Sequence, residues 1–134
     1  MQGNQLLIDE LGKLDPRKSY GTELFNALAR VTVTVAIEAA CIDLRDGEAF
    51  IDMIKRPWDE TAYAGQWNVP GTVMRSGETF DDMMGRLSVK EFGCTMNLGK
   101  FVGICNNCLE ERGHFLSVVY LAEPASLPDN FLGQ

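Results

Sequence analysis

Apolar residues near the N-terminus recur at roughly helical spacing. Residues 1–15 carry four leucines before Pro16, which predicts a first helix that is stopped there. Ser19 or Thr22 starts a second, shorter helix with apolar side chains along one side. The pattern therefore predicts a helical leader over residues 1–30, and we expect it to pack on the rest of the chain or on a second subunit.

Alternating Val and Thr residues mark the start of extended structure. Residues 31–42 become mostly apolar after this alternation, apart from Glu38, and predict a long central strand. Asp46-Gly47 is a hairpin pair, and residues 49–55 form the predicted return strand. The sequence thus places two paired strands directly after the leader.

One amphipathic helix follows a loop that contains several glycines. Residues 65–78 are typical of a short strand, a Pro-Gly turn and a loop. Thr79 is a candidate N-cap with Asp82 three residues on, as in a partial capping box. Gly93 stands where a C-terminal cap is expected, so the pattern predicts a helix between Thr79 and Gly93.

The C-terminal part returns to extended structure. Residues 98–105 and 114–122 predict two strands, separated by a polar turn region over residues 106–113. The tail over residues 124–134 shows no regular pattern. No internal repeat or second domain interrupts this order.

Composition and charge limit the classes of partner. The chain has 134 residues, 46% of them hydrophobic, which suits one globular domain with a core. Its net charge of −7 argues against nucleic acid or an anionic membrane surface as the main partner, since both need clustered Lys and Arg. A membrane-span pattern and a signal-peptide pattern are both missing, and four scattered cysteines favour a reducing, cytoplasmic setting.

Helical spacing places positions 87, 90 and 91 on one face of the predicted helix. Carboxylates on that face would form a hard-oxygen site for Mg²⁺ and a phosphate ligand. The chain has Leu87, Lys90 and Glu91 there, so only one of the three is acidic. We therefore expect one metal ion at most on this face.

The stretch over residues 65–93 resembles the signature of the Nudix hydrolase family, Gly-x5-Glu-x7-Arg-Glu-apolar-x-Glu-Glu-x-Gly-apolar, which usually follows Trp-x-x-Pro-Gly. The residues in register are Trp67, Pro70, Gly71, Glu78, Arg86, Glu91, Gly93 and Cys94. The resemblance implies an α/β fold, a Nudix-like α/β/α sandwich with a central mixed sheet. That domain would cover residues 31–134 and stop early compared with the family, after the N-terminal helical leader over residues 1–30.

Four positions depart from the family signature. They are Thr72 for the first glycine, Leu87 and Lys90 for the first two metal-binding glutamates, and Ser88 for an apolar residue. A lysine at a metal-binding position repels a cation, at a cost on the order of several kcal/mol at an intermediate dielectric. These departures predict weak or altered metal chemistry.

The resemblance still implies roles for four residues of the signature. Glu91 and the backbone carbonyl of Gly71 would hold one Mg²⁺ or Mn²⁺ ion, and Glu91 would be the catalytic carboxylate. Glu78 and Arg86 would form the structural pair that supports the helix and the loop before it.

The run from Arg86 to Gly93 resembles the GDP-mannose mannosyl hydrolase branch of the family. That branch also has Leu after the arginine, lacks the second glutamate and uses one metal. It needs a histidine base on a C-terminal loop, but no histidine follows residues 127–129, which align with that loop, and Val73 replaces the branch's arginine. The resemblance implies a weak or altered hydrolase of a nucleoside diphosphate linked to another group, with a nucleotide sugar favoured.

Other side chains are candidate substrate contacts. Lys55 and Arg56 end the predicted return strand, where two cations could hold a pyrophosphate, with ordinary surface charge as an equal alternative. Trp58 and Tyr63 lie in a loop that borders the substrate in the family, although packing is the favoured role. Lys90 is a candidate phosphate contact.

The polar turn region supplies further candidates. Some family members provide an extra metal carboxylate from a loop here, so Glu110 and Glu111 are candidate ligands, with solvated turn acids favoured. His114 is a candidate general base, although a packed or hairpin-end histidine is favoured. A weak candidate for a zinc site is the set Cys94, Cys105, Cys108 and His114.

Two other functions remain alternatives. In the first, the domain binds a nucleotide without turnover, and Lys90 supplies the charge that a metal would otherwise supply. In the second, the fold is an interaction module that uses the leader and a helix face with Met83 and Met84, although methionine is more often core filling. A homodimer is also expected as an option, because dimers are common in the family.

Overall fold

The computed structural model describes residues 2–55 and 65–124. Its helices are α1 (Gln2–Gly12), α2 (Thr22–Ala29) and α3 (Phe80–Leu87), which a π-helical turn (Ser88–Phe92) continues. Its strands are β1 (Val33–Ala40), β2 (Ile42–Arg45), β3 (Glu48–Ile51), β4 (Ile54–Lys55), β5 (Trp67–Asn68), β6 (Gly71–Val73), β7 (Met96–Glu110) and β8 (Gly113–Pro124).

A four-stranded mixed sheet carries the fold, in the order β6-β1-β8-β7. The central strands β1 and β8 are parallel, with Ile37 opposite Val118, whereas β6 and β7 run antiparallel to their neighbours. Two small antiparallel pairs, β2-β3 and β4-β5, lie outside this sheet. The predicted α/β fold with a central mixed sheet is confirmed.

Helix α3 packs its apolar side on the sheet. Met83, Met84 and Leu87 are fully buried and share a core cluster with Ile37 of β1 and Met96 of β7. Burying three large side chains on one side of an eight-residue helix removes apolar area from water, and this burial holds the helix on the sheet. The two methionines are therefore core residues, and the alternative that they form an interaction face is wrong.

The caps of α3 follow the sequence. The Thr79 hydroxyl accepts a hydrogen bond from the backbone N–H of Asp82 at 3.0 Å, and the Asp82 carboxylate accepts one from the backbone N–H of Thr79 at 2.9 Å. Gly93 closes the π-helical turn in the left-handed conformation, with φ of 67°. Both predicted caps are confirmed, because capping depends on local residues.

The leader forms two helices, of which the second is packed. Helix α1 ends at Gly12, earlier than the predicted stop at Pro16, since glycine is a poor helix former. Its apolar residues Leu6, Leu7 and Ile8 are more than half exposed. In α2, Ala29 is buried, and the ring of Phe25 lies 6.4 Å from that of Phe115 in β8. The division into a leader over residues 1–30 and a domain over residues 31–134 stays a prediction.

The predicted long strand and its return strand are shorter than expected. The strand predicted over residues 31–42 covers Val33–Ala40, and the chain then leaves the central sheet to form β2. Asp46-Gly47 makes the predicted hairpin turn, with positive φ at both residues. The predicted return strand splits into β3 and β4, which belong to different sheets.

The β7–β8 hairpin corrects the predicted polar turn. Residues 106–110 belong to β7, so only residues 111–112 form the turn, and the prediction of a turn over residues 106–113 was wrong. Strand β7 lies at the edge of the sheet and residues 106–109 are exposed, so polar side chains are tolerated there and the alternation on which the prediction relied is lost. Within the two described stretches, no helix has both the length and the hydropathy to cross a bilayer.

Gly113 is predicted to be essential for docking α2. An added Cβ at this position would overlap the carbonyl of Ala29, and its φ of 141° strains an L side chain. We expect Gly113→Ala to lower the free energy of unfolding by about 2 kcal/mol, measured by urea denaturation. Gly103→Ala is the matched control, because its Cβ meets nothing within 4 Å. Equal losses of unfolding free energy in the two variants would contradict the close contact between Gly113 and Ala29.

Candidate functional site

Arg86 connects α3 to the loop before it and to β6. Its guanidinium donates to Glu78 at 2.7 and 2.8 Å, to the hydroxyl of Thr72 at 3.0 Å and to the carbonyl of Val73 at 2.9 Å. The Glu78 carboxylate also accepts from the backbone N–H of Arg75 at 2.7 Å. The hydrogen bond from Arg86 is the main cause that lowers the pKa of Glu78. The interaction fixes the loop against the helix.

A cavity of about 1100 Å³ opens beside this interaction. Three parts of the chain line it: the stretch over residues 68–91, which includes β6 and α3, the strands β1, β7 and β8 with the turn between the last two, and the leader. The charged residues from the first two parts are Arg75, Arg86, Lys90, Glu91, Glu38, Glu110 and Arg112, and the polar ones include Asn107 and Ser117. The chain therefore brings residues that are far apart in sequence to one concave surface.

The three positions predicted to share a helix face do not line this cavity together. Lys90 and Glu91 line it, whereas Leu87 is fully buried in the core below the helix. A leucine at this position gains more from packing against Met83 and Met84 than from exposure to a polar cavity. The Lys90 ammonium lies 3.9 Å from the Glu91 carboxylate, with the lysine side chain 70% exposed.

Ser88 takes the place of an apolar residue and is buried. Its hydroxyl donates to the carbonyl of Met84 at 2.7 Å and accepts from the backbone N–H of Met96 at 3.0 Å. Both partners satisfy the hydroxyl, so the polar group is buried without loss. Ser88 thus links the end of α3 to the start of β7 and acts as a structural residue.

Gly71 and Glu38 are in direct contact at the edge of the cavity. They are partners in the β1–β6 register. A Cβ at Gly71 would lie 2.9 Å from the carbonyl oxygen of Ile37 and 3.4 Å from Cγ of Glu38, so only glycine fits. The half-buried Glu38 side chain therefore lies against the residue whose carbonyl is the expected metal ligand.

Glu38 belongs to a polar group that sequence patterns did not identify. Burial raises the pKa of the Glu38 carboxyl, and the charge of Glu110 adds to this, whereas a hydrogen bond from Ser117 opposes it. Ser117 also accepts from the amide of Asn107 at 3.2 Å, and Arg112 donates to Glu110 at 2.8 Å. The sequence feature that could have identified this group was Glu38 itself, a charged residue within a mostly apolar predicted strand.

The predicted residues near the β7–β8 turn are dispersed. Glu110 lines the cavity, whereas Glu111 is exposed in the turn and does not. The His114 ring is hydrogen-bonded to Asn106 across the hairpin, which agrees with a hairpin-end role. Among residues 2–55 and 65–124, no three His, Cys, Asp or Glu side chains form a group that could hold a metal. The cysteines and His114 therefore make no zinc site, and Cys94 is exposed although its position in the signature is apolar.

Several candidate substrate contacts lie outside the described residues. These are Arg56, Trp58, Tyr63 and the segment over residues 127–129. Lys55 is placed by its backbone, as the last residue of β4. Their proposed roles stay predictions.

Comparison with known proteins decides the fold. No protein-family model and no curated sequence matches the chain significantly. A MutT protein from Methanosarcina mazei matches 72% of the chain with a TM-score of 0.59 and 22% identity, over 67% of its own length. A MutT Nudix hydrolase from Burkholderia pseudomallei matches 75% of the chain with a TM-score of 0.56 and 24% identity, over 77% of its own length. The chain has the Nudix fold.

A third Nudix-fold structure was solved with a ligand. The Nudix domain of Shewanella oneidensis NrtR, complexed with ADP-ribose, matches 90% of the chain over 71% of its own length, with a TM-score of 0.51 and 15% identity. The chain spans less than two thirds of some neighbours, including 64% of a MutT/Nudix family protein from Listeria innocua and 42% of a longer Shewanella NrtR structure. These identities establish the Nudix fold alone.

Two residues predicted to hold a metal, Glu91 and Gly71, both line this cavity. The acidic residues Glu38 and Glu110 line it as well. Mg²⁺ is commonly bound by one or two carboxylates while waters and substrate phosphates complete its shell. Within the described stretches no cluster of three acidic, histidine or cysteine side chains adds to this set.

Glu78→Gln is predicted to destabilise the protein at neutral pH by about 1–2 kcal/mol, because the Arg86 guanidinium loses its charged partner. The folded-state pKa of Glu78 lies below its ordinary value of 4.5, so its contribution is complete above pH 4.5. The contribution is lost as the pH falls through the lowered value. Urea unfolding of both proteins from pH 7 downwards should therefore show a difference that shrinks below pH 4.5. Glu111→Gln, at an exposed turn position, should show little difference at any pH.

Proposed function

We propose that the chain hydrolyses a nucleoside diphosphate linked to another group, with a nucleotide sugar favoured, at a low rate supported by one metal ion. The observation that supports this most is that Glu91 and Gly71 line one cavity together with several basic residues. A diphosphate needs such cations to balance its charge. The cavity volume of about 1100 Å³ accommodates a ligand larger than a free diphosphate.

The charge of the cavity differs in sign from that of the chain. Its basic residues are Lys18, Arg75, Arg86, Lys90 and Arg112, and its acidic residues are Glu38, Glu91 and Glu110. Arg86 is paired with Glu78 and Arg112 with Glu110, so Lys18, Arg75 and Lys90 are the remaining cations along the lining, beside Glu38 and Glu91, in a chain whose net charge is −7. A local excess of positive charge attracts an anionic ligand to this surface.

One solved neighbour supports the class of ligand. The Nudix domain of Shewanella NrtR was solved with ADP-ribose, a nucleoside diphosphate linked to a sugar. We carry this class over to the present chain as a proposal. The predictions of a cytoplasmic setting, an optional homodimer and no nucleic-acid partner remain untested.

Glu91 and the Gly71 carbonyl would hold one Mg²⁺ or Mn²⁺ ion. Such an ion, when bound, polarises phosphoryl oxygens and acidifies a coordinated water. Lys90, on the same side, would contact a phosphate oxygen directly. The signature acids replaced by Leu87 and Lys90 would supply further ligands, so their loss is the physical reason for the low expected rate.

The proposed substrate contacts extend beyond this centre. Lys55 and Arg56 would hold the pyrophosphate, whereas Trp58 and Tyr63 are candidate contacts for which packing stays the favoured role. Glu110 is kept as a candidate second carboxylate because it lines the cavity, and Arg112 already bonds to it. Glu111 is exposed in the turn and does not line the cavity, so no ligand role is proposed for it.

Glu91→Gln should remove Mg²⁺-dependent turnover. The amide keeps the shape of the side chain but loses the charge that binds a hard cation, so we expect product release to fall at least about a hundredfold. The assay measures product from ADP-ribose, GDP-mannose and nucleoside triphosphates with and without Mg²⁺. Glu111→Gln is the control that should retain activity. Unchanged turnover in Glu91→Gln would refute the assigned metal ligand.

The contact between Lys90 and Glu91 favours a second function, which is ligand binding without hydrolysis. The Lys90 ammonium lies 3.9 Å from the Glu91 carboxylate, so it can supply the positive charge that a metal would otherwise supply. In this case the cavity binds the same ligand class without hydrolysing it. ADP-ribose would then raise the unfolding temperature in the presence of EDTA, and Lys90→Ala would lose most of this shift. Stabilisation that requires Mg²⁺ and accompanies turnover would instead support the hydrolase.

A further inference from the structure

The segment between α1 and α2 forms one wall of the cavity. Lining residues from the leader begin at Leu11 and end at Asn26, and they face the sheet and α3 across the cavity. The Nudix signature contributes none of these residues. The leader is therefore part of the site as well as a packing element.

Two contacts hold this wall in place. The Arg17 side chain lies against Gly77 in the loop before α3, where an added Cβ would meet its Nε at 3.4 Å. At the other end, the Phe25 ring packs on Phe115, with centroids 6.4 Å apart. One contact is therefore made to the loop before α3 and the other to β8, at the two ends of the segment that lines the cavity.

The chemistry of this wall differs from that of the opposite side. The loop before α3 supplies the cation Arg75, and the π-helical turn after α3 supplies Lys90 beside Glu91. The leader wall instead offers the aromatic rings of Tyr20 and Phe25 and the amide of Asn26, beside the cation Lys18. An aromatic ring and an amide suit a planar heterocycle with polar edges, whereas the cationic side suits phosphates.

Tyr20 is the aromatic residue of this wall with the most accessible ring. It is 38% exposed and lines the main cavity as well as a smaller one under α2. The Phe25 ring already packs on the Phe115 ring. The guanidinium carbon of Arg112 lies 4.6 Å from the centroid of the Phe115 ring. Tyr20 is therefore the ring on this wall that can offer a face to a ligand.

We propose that the leader wall binds the nucleobase of the ligand, with Tyr20 stacking on the base and Asn26 hydrogen-bonding to its edge. This inference rests on the proposed function, which places the diphosphate at the side of Lys90 and Glu91. The leader then determines which nucleoside derivatives bind, while the signature residues bind the phosphates common to all of them. Stacking tolerates any base, so the amide is the group that would discriminate between bases.

The test compares two ligands that share the diphosphate, of which only ADP carries a nucleoside with its base. ADP and inorganic pyrophosphate are titrated calorimetrically with Mg²⁺ into the full chain and into Tyr20→Ala, Tyr20→Phe and Phe50→Ala. We expect Tyr20→Ala to bind ADP about tenfold more weakly and pyrophosphate within twofold of the unmodified chain. Tyr20→Phe keeps the ring and should bind both ligands normally. Phe50, a similarly exposed aromatic outside the cavity, is the matched control.

Each outcome has a distinct meaning. Loss of ADP affinity in Tyr20→Ala with normal pyrophosphate binding supports the inference, and a smaller loss in Asn26→Ala would support the amide contact. Unchanged ADP binding in Tyr20→Ala, or an equal loss for both ligands, overturns the inference and leaves the proposed function standing. If the unmodified chain binds neither ligand, the proposed function fails and this inference fails with it. Circular dichroism at equal concentrations confirms that each variant is folded.

Discussion

The interaction on which the site depends is that between Arg86 and Glu78. One guanidinium makes four hydrogen bonds, which reach the loop before α3, the side chain of Thr72 and the backbone of β6. Gly71 lies at the start of β6 and Glu91 lies just beyond α3, so their relative position follows from this connection. Charge-assisted bonds with fixed geometry suit this role better than apolar packing, because the loop has few side chains to bury. Glu78 and Arg86, the structural pair of the signature, are thus kept, although Leu87 and Lys90 stand in place of two of its acids.

Leu87 and Lys90 change the chemistry of the site in different ways. Leu87 joins the core with Met83 and Met84, so a position that would carry a metal ligand instead stabilises the helix on the sheet. Lys90 stays at the cavity and adds a positive charge beside Glu91. Neither side chain offers an oxygen ligand for a hard cation. The part of the cavity lining that lies outside the signature includes residues of the leader and of strands β7 and β8.

Sequence patterns predicted the elements that depend on neighbouring residues. The capping box at Thr79, the glycine cap at Gly93 and the turn at Asp46-Gly47 follow from local hydrogen bonds and backbone preferences, and all three are observed. The pattern failed over residues 106–110, where Asn and Glu side chains occupy the end of β7 and resemble a turn. Exposed residues of an edge strand need not alternate between apolar and polar, so a local pattern cannot separate them from a loop.

The sequence by itself determined the Nudix signature, the helix that carries it and the shortage of metal-binding acids. The tertiary structure decided which distant residues join that helix. Parallel pairing of β1 with β8 places Glu38 near Ser117, and the pairing of β8 with β7 adds Glu110. The packing of α2 on β8 places the leader along the cavity. These arrangements link residues roughly 70 to 90 positions apart, and no local periodicity encodes such contacts because they form only when the whole sheet is assembled.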